Sequence, residues 1–148
     1  MQKLRHHDFK IGMPDGWVDA SNVIMIGPMK EDYSPTMTVT REPLDSPTTA
    51  RSYATEKRAE LEEEFGSQGY EVLEERPIDI GRMSAFQRTH TWMLPEAEIQ
   101  IQQMQVYFVK EGAALTVTCT DKMDRFDETK PTFMEALKEF EYVEEEAQ

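Results

Sequence analysis

The stretch 98-EIQIQQMQVYFV-109 alternates like a β-strand but carries apolar side chains on both of its sides. Successive side chains of a strand point to opposite faces of a sheet. One face would carry Ile99, Ile101, Gln103, Gln105, Tyr107 and Val109. The other face would carry Gln100, Gln102, Met104, Val106 and Phe108. We therefore expect one face to pack in the core and the other to meet a partner.

Further strand patterns and two helical patterns surround this stretch. Strands are predicted over 7–13, 21–27 and 36–42, and again over 71–80, 82–94, 98–110 and 113–120. Amphipathic helices are predicted over 48–65, with Thr48 or Thr49 as N-cap, and from about 125 to 140, with Pro131 in the first turn. The order βββ-α-ββββ-α is typical of an α+β fold on an antiparallel sheet of six or seven strands.

Two turn signals refine this topology. Pro77 predicts that the strand over 71–80 lies at an edge or contains a bulge, and Glu111-Gly112 predicts a tight hairpin. Two helices cover only part of such a sheet, so we expect one face to form the core beneath them. The other face, rich in Thr, Gln and Met, would suit an apolar partner that also needs hydrogen bonds.

The composition favours one soluble domain over residues 1–148, with an acidic tail over 141–148 that frays. The formal net charge of −13 argues against nucleic acid and anionic membrane surfaces as partners. No run of 18 apolar residues predicts membrane insertion, and the first residues lack a secretory signal pattern. The single Cys119 agrees with a reducing compartment. We therefore expect a cytoplasmic protein.

The residue pattern does not predict an enzyme, a cofactor site or a metal site. His6 and His7 are neighbours on a predicted strand and would point to opposite faces, so they chelate one ion poorly. His90 has no positioned partner in the sequence, and Cys119 lies in an apolar strand as a small hydrophobic residue. No nucleophile motif and no Gly-rich phosphate loop is present.

Four segments resemble the DcrB-like family, which implies a PsbP-like fold. They are FKIGMPDGWVDASNVIMI (9–26), SPTMTVTREPL (34–44), QMQVYFVKEGAALTVTCT (103–120) and DRFDETKPTFMEALKEFEY (124–142). The helical segment over 53–70 with its Gly69-Tyr70 turn resembles the same family, so the likeness covers nearly the whole chain.

Within that family, the glutamine-bearing strand is most similar to the Eag chaperones of bacterial type VI secretion. The resemblance implies a cytoplasmic homodimer that binds the N-terminal transmembrane helices of effector proteins and shields them before they are loaded on the secretion spike. The residues expected to bind this client are Val23, Ile24, Met25, Ile26, Met37, Gln87, Gln102, Gln103 and Gln105.

Two other functions remain open at this point. The first is a general protein-binding module of the same fold, such as a GTPase partner or an immunity-type protein, that binds a folded surface. The second is an enzyme that uses the region of His90. A neighbouring gene for an effector with apolar N-terminal helices would favour the chaperone, and a pocket that joins His90 to a carboxylate would favour the enzyme.

Overall fold

The chain forms one six-stranded antiparallel sheet, one separate hairpin and two α-helices. The computed structural model describes residues 1–143. The elements are β1 (Gln2–His6), β2 (Phe9–Met13), β3 (Val23–Ile26), β4 (Thr36–Pro43), α1 (Ala50–Phe65), β5 (Glu71–Ile80), β6 (Met83–Leu94), β7 (Ile99–Lys110), β8 (Ala113–Lys122) and α2 (Phe126–Lys138), with a 3-10 turn at Gly66–Gln68. The strand order of the large sheet is β3-β4-β8-β7-β6-β5. The predicted α+β class is confirmed.

The start of the chain is a hairpin rather than a single strand. The strand predicted over 7–13 is wrong in extent, because β1 and β2 pair with each other around a turn at His7 and Asp8. His7 adopts a positive φ of 44° there without a glycine, which is why turn chemistry did not reveal it. This hairpin lies outside the large sheet and leaves Phe9 and Ile11 exposed.

The two helices pack on opposite faces of the sheet. The expectation that both cover the same face is therefore wrong. Helix α1 lies over β6 and β7, where Tyr53 meets Phe86 and Tyr107. Helix α2 packs on the other face, where Phe133 and Leu137 belong to a core made largely by the centre of the sheet. The physical reason is that β7 is apolar on both sides, so each side needs its own cover.

The two edges of the sheet differ in chemistry. Strand β5 forms one edge, as Pro77 predicts, and a register shift between Val72 and Glu74 interrupts its pairing with β6. Proline, bulges and charge all oppose further pairing at an edge. Strand β3 forms the other edge and consists of four exposed apolar residues, VIMI. The β3 edge has none of those protections.

The turns and helix ends follow the expected chemistry with one exception. Glu111 and Gly112 close the β7–β8 hairpin with positive φ values of 45° and 80°, and Thr49 caps α1 by accepting a hydrogen bond from the Ser52 amide. Helix α2 begins at Phe126, so the placement of Pro131 in its first turn is wrong. Pro131 is exposed, as is Asp127, whose carbonyl receives no amide hydrogen from Pro131.

The end of β8 is tied to the loop between β3 and β4. Asp121 is fully buried and accepts hydrogen bonds from Arg125 at 2.7 Å and from Thr129 at 2.6 Å. Arg125 in turn donates to the carbonyls of Lys30 and Tyr33, at 2.5 and 3.0 Å. This cluster fixes the path of the chain that leads from β3 into β4.

The C-terminal segment packs in part against the sheet. Tyr142 contacts Phe140 edge-on at 5.5 Å, and the Lys110 ammonium lies 4.6 Å from the Tyr142 ring. The frayed tail over 141–148 stays a prediction, and its residues 144–148 lie outside the described residues.

Candidate functional site

Two rows of side chains cross the α1 side of the sheet from β7 to β3. Strand register places Gln105 opposite Thr118, Thr118 opposite Thr38, and Thr38 opposite Ile24. The second row runs in the same way through Gln103, Thr120, Thr36 and Ile26. Each row thus begins with an amide, continues through two hydroxyls and ends in an exposed isoleucine.

These rows form the floor of a groove beside α1, which we call the threonine groove. Its floor consists of Ile24, Ile26, Thr36, Thr38, Thr118, Thr120, Gln103 and Gln105. The distance from β7 to β3 is three strand spacings, or about 14 Å, and an α-helix with side chains is about 10–12 Å across. The floor therefore has the width of one helix lying next to α1.

The wall of the groove is charged, whereas its floor is not. A cavity of about 400 Å³ lies between α1 and the floor, next to Lys57, Leu61 and Gln105. Lys57 of α1 pairs with Glu42 of β4 at 2.9 Å and with Glu60 at 3.0 Å, and Glu64 of α1 also lines the cavity. An uncharged floor can accept an apolar partner without burying a charge.

Gln105 is held by hydrogen bonds on both sides. Its Nε2 donates to Thr118 Oγ1 at 3.2 Å, and its Oε1 accepts from the Tyr107 hydroxyl. Arg88, which is buried, donates to that hydroxyl at 2.7 Å and to Glu75 at 3.0 Å. Burial raises the pKa of Tyr107, so the phenol is neutral over the physiological range.

Gln103 sits in a second network beneath α1. Its Oε1 accepts from Trp92 Nε1 at 3.3 Å and lies 2.8 Å from His90 Nε2, while its Nε2 donates to Thr120 at 3.1 Å. Tyr70 lies 3.2 Å from His90 Nδ1. Burial lowers the pKa of His90 to about 4, so the ring is neutral at physiological pH and both of its nitrogens are engaged.

The structure does not bring all of the predicted client-binding residues together. Ile24 and Ile26 share the α1 side with Gln103 and Gln105. The remaining five face the α2 side, and they are Val23, Met25, Met37, Gln87 and Gln102. Gln87 is only 1% exposed and donates to Thr89, so no partner could reach it.

The α2 side of β3 contains a different cavity. It has a volume of about 410 Å³, and Met25, Met37, Pro35 and Phe133 supply much of its apolar lining. Ile26 and Thr36, at the end of the second row, also line this cavity, as does Lys30 in the loop that Arg125 holds in place. The threonine groove, by contrast, is a strip across four strands in which Thr120 is buried and Thr36, Thr38 and Thr118 are half-buried.

Sequence reasoning missed the threonines of β8 and β4 as site residues. Thr36, Thr38, Thr118 and Thr120 alternate with apolar residues, which is also the pattern of an ordinary exposed strand face. What distinguishes them is that β4 and β8 are neighbours, and this pairing joins strands far apart in the sequence. Arg88 was missed as well, because an arginine in a strand is usually exposed.

Comparison with known proteins assigns the family. The DcrB family model matches residues 9–143, so the chain belongs to the DcrB family. A search of curated protein sequences found no match.

One solved structure shares the fold of this chain, and two others resemble it less. The protein of unknown function PA94 from Pseudomonas aeruginosa is 18% identical, with a TM-score of 0.78 over 98% of this chain and 99% of that one. Cyanobacterial PsbP from Synechocystis is 12% identical, with a TM-score of 0.48 over 86% and 95% of the two chains. LpqN, involved in cell envelope biogenesis of Mycobacterium tuberculosis, is also 12% identical, with a TM-score of 0.41 over 82% and 83%.

Two further properties of the described residues bear on possible functions. Within residues 1–143, no helix combines the length and the apolar character needed to cross a membrane. The same part of the chain holds no group of three His, Cys, Asp or Glu side chains arranged to bind a metal ion.

Proposed function

We propose that this protein is an adaptor chaperone that binds an apolar helix in the threonine groove. The client would be an N-terminal transmembrane helix of a type VI secretion effector, held in the cytoplasm until the effector is loaded on the secretion spike. The observation that carries the proposal is the continuous uncharged floor from Gln105 through Thr118 and Thr38 to Ile24. The family resemblance of the chain, rather than the groove itself, suggests the secretion role.

The physical chemistry of the groove suits such a client. A transmembrane helix brings about 20 apolar residues that aggregate when they are left in water. Ile24 and Ile26 are 65% and 70% exposed and offer apolar area that a client would bury. Burial stabilises the complex by about 25 cal/mol per Å², less the entropy lost in ordering the partners. The net charge of −13 would keep the loaded complex soluble.

The proposal includes a homodimer. The β1–β2 hairpin lies outside the large sheet, and an isolated two-stranded hairpin is only marginally stable in water. Its residues Phe9 and Ile11 are exposed, as are Trp17 and Val18 in the segment that follows. A second copy that covers these side chains would remove an apolar surface that a monomer leaves in water.

The proposal assigns no catalytic role. His90 is buried, neutral and hydrogen-bonded to Gln103, and no carboxylate is among its hydrogen-bond partners within residues 1–143. Burial raises the pKa of Cys119 to about 12, which disfavours the reactive thiolate. These surroundings support structural roles for both side chains.

The test compares the two faces of β3. We expect the Ile24→Asp/Ile26→Asp variant to stay folded and to lose an apolar client helix in co-purification. The Val23→Asp/Met25→Asp variant changes exposed residues of the same strand on the opposite face, and we expect it to retain the client. Retention by the first variant and loss by the second would place the client on the α2 side and refute the groove.

A further inference from the structure

The side chains around Gln105 determine which group donates and which accepts in each of its hydrogen bonds. An arginine side chain can only donate, so the bond from Arg88 makes the Tyr107 oxygen an acceptor. The single hydroxyl hydrogen of Tyr107 is then free for Gln105, which must present its Oε1 to receive it. The amide nitrogen of Gln105 therefore points to Thr118, and the opposite amide orientation would place two donors against each other.

This direction determines what Thr118 can offer to a partner. Its oxygen accepts from Gln105, so its own hydroxyl hydrogen remains to be donated. Thr118 is half-buried in the floor of the groove, next to Thr38. Among residues 1–143 its hydroxyl donates to no other group, which leaves the donor available at the surface of the groove.

The hydrogen bonds of the neighbouring row have the same direction. The Trp92 indole can only donate, so Gln103 presents its Oε1 to Trp92 and its Nε2 to Thr120. The same oxygen requires the proton of neutral His90 to be on Nε2, which leaves Nδ1 to accept from Tyr70. In both rows, each hydrogen bond is therefore donated in the direction that leads from the residues beneath α1 towards the floor of the groove.

We propose that Arg88 and Tyr107 are positioning residues that orient Gln105 so that Thr118 presents a hydrogen-bond donor to the client. The inference rests on the proposed function and specifies the client. Backbone carbonyls within a helix already accept from its own amides and keep one lone pair each, so a side-chain oxygen is the better acceptor that a client can offer. The groove therefore prefers apolar helices that carry a side-chain oxygen, such as that of serine or threonine, at the point that meets Thr118.

The test uses three synthetic 20-residue leucine–alanine helices made soluble by neutral poly(ethylene glycol) tails. They differ only at the central residue, which is alanine, serine or O-methylserine. O-methylserine can accept a hydrogen bond but cannot donate one. We expect calorimetry with the wild-type protein to give equal affinities for serine and O-methylserine, each about 3- to 10-fold above alanine, which is the usual effect of one net hydrogen bond.

Variants separate positioning from a structural role. Tyr107→Phe and Thr118→Val should reduce the preference for O-methylserine over alanine to less than about 2-fold, because the donor is misdirected or absent. Thr118→Ser keeps the hydroxyl that Thr118→Val removes, so this variant should retain the wild-type preference. Tyr53→Phe is the matched control, since Tyr53 packs against Tyr107 at 6.0 Å but donates its hydroxyl to Glu42. A merely structural effect would weaken all three peptides equally and leave the preference unchanged.

Each contrary outcome overturns a defined part of this account. If O-methylserine binds like alanine and only serine binds tightly, the client is the donor and the proposed direction is wrong. If all three peptides bind equally, the groove holds apolar helices without this selection, so the inference fails and the proposed function stands. If none binds, the proposed function fails together with the inference.

Discussion

Replacement of Asp121 by asparagine should strongly destabilise the protein and loosen the β3–β4 region. Asp121 accepts hydrogen bonds from Arg125 at 2.7, 3.0 and 3.1 Å and from the Lys122 amide at 2.7 Å. Its side chain is fully buried, and that of Arg125 is 7% exposed. The asparagine variant keeps the shape of the side chain but removes the only carboxylate among residues 1–143 that contacts the buried guanidinium, which leaves the more distant Glu31 and Asp124 as its counter-charges.

The magnitude follows from the burial of this pair. Removal of one partner from a buried ion pair costs about 3–5 kcal/mol, because the remaining charge stays desolvated. For a protein of this size, 1 kcal/mol shifts the melting temperature by about 2–4 °C, so we expect a decrease of about 6–20 °C. The control is Thr129→Val, which removes one hydrogen bond to Asp121 and should cost about 1 kcal/mol.

Urea denaturation at several pH values provides the assay. Burial opposes the ionisation of Asp121, but hydrogen bonds from Arg125, Thr129 and the Lys122 amide outweigh burial and lower its pKa. A lowered pKa gives stability that is present above the ordinary carboxyl range and is lost as the pH falls through the lowered value. Asp121→Asn should remove this acid-dependent loss. A decrease in stability no larger than that of Thr129→Val would refute the reasoning.

Three further predictions concern the core and the site. Because burial lowers the pKa of His90 to about 4, the stability that wild-type protein has above pH 6.5 should decline by up to about 3 kcal/mol towards pH 4, whereas His90→Gln should flatten this decline in urea titrations. Leu137→Ala should cost about 2–5 kcal/mol, since Leu137 is 1% exposed, and Leu73→Ala at an exposed site should change the free energy of unfolding by less than about 0.5 kcal/mol. Gln105→Ala should cost more free energy of binding to an apolar helix than free energy of unfolding, which thermal melting measures; equal losses of the two would make Gln105 a structural residue.

Much of the sheet could be predicted from local patterns. Alternation in 98–110 defines the two faces of β7, Pro77 indicates an edge strand, and Glu111-Gly112 identifies the hairpin that follows β7. These signals are local because side-chain periodicity and turn chemistry act over only a few residues. The alternation of each strand is therefore readable before its neighbours are known.

The side of the sheet that each helix covers could not be predicted in this way. The apolar stripe of α1, with Tyr53 and Phe65, shows that the helix is amphipathic but not which face it meets. Because β7 has two apolar faces, α1 could pack on either of them, and only the assembled sheet decides between the two. In the structure, Phe65 stacks on Trp92 at 4.2 Å and fixes α1 to the side of the glutamine networks.

The candidate site was predictable in its composition but not in its arrangement. Ile24 and Gln105 could each be selected from the sequence as unusual for a solvent-facing strand. Their alignment in one row requires β4 to pair with β8, which joins segments about 80 residues apart. The same pairing sends Met25 and Met37 to the opposite face. The arrangement of the candidate site therefore depends on the register between strands that are far apart in the sequence.

Hydrogen–deuterium exchange of the wild-type protein with and without an apolar 20-residue helix tests the central claim most directly. The account predicts that protection from exchange increases in the segments of β3, β4 and β8 that contain Ile24, Thr38 and Thr118. It predicts little change in the middle of α2 around Phe133. Protection confined to Phe133 and the 27–35 loop, or no protection at all, would contradict binding in the threonine groove.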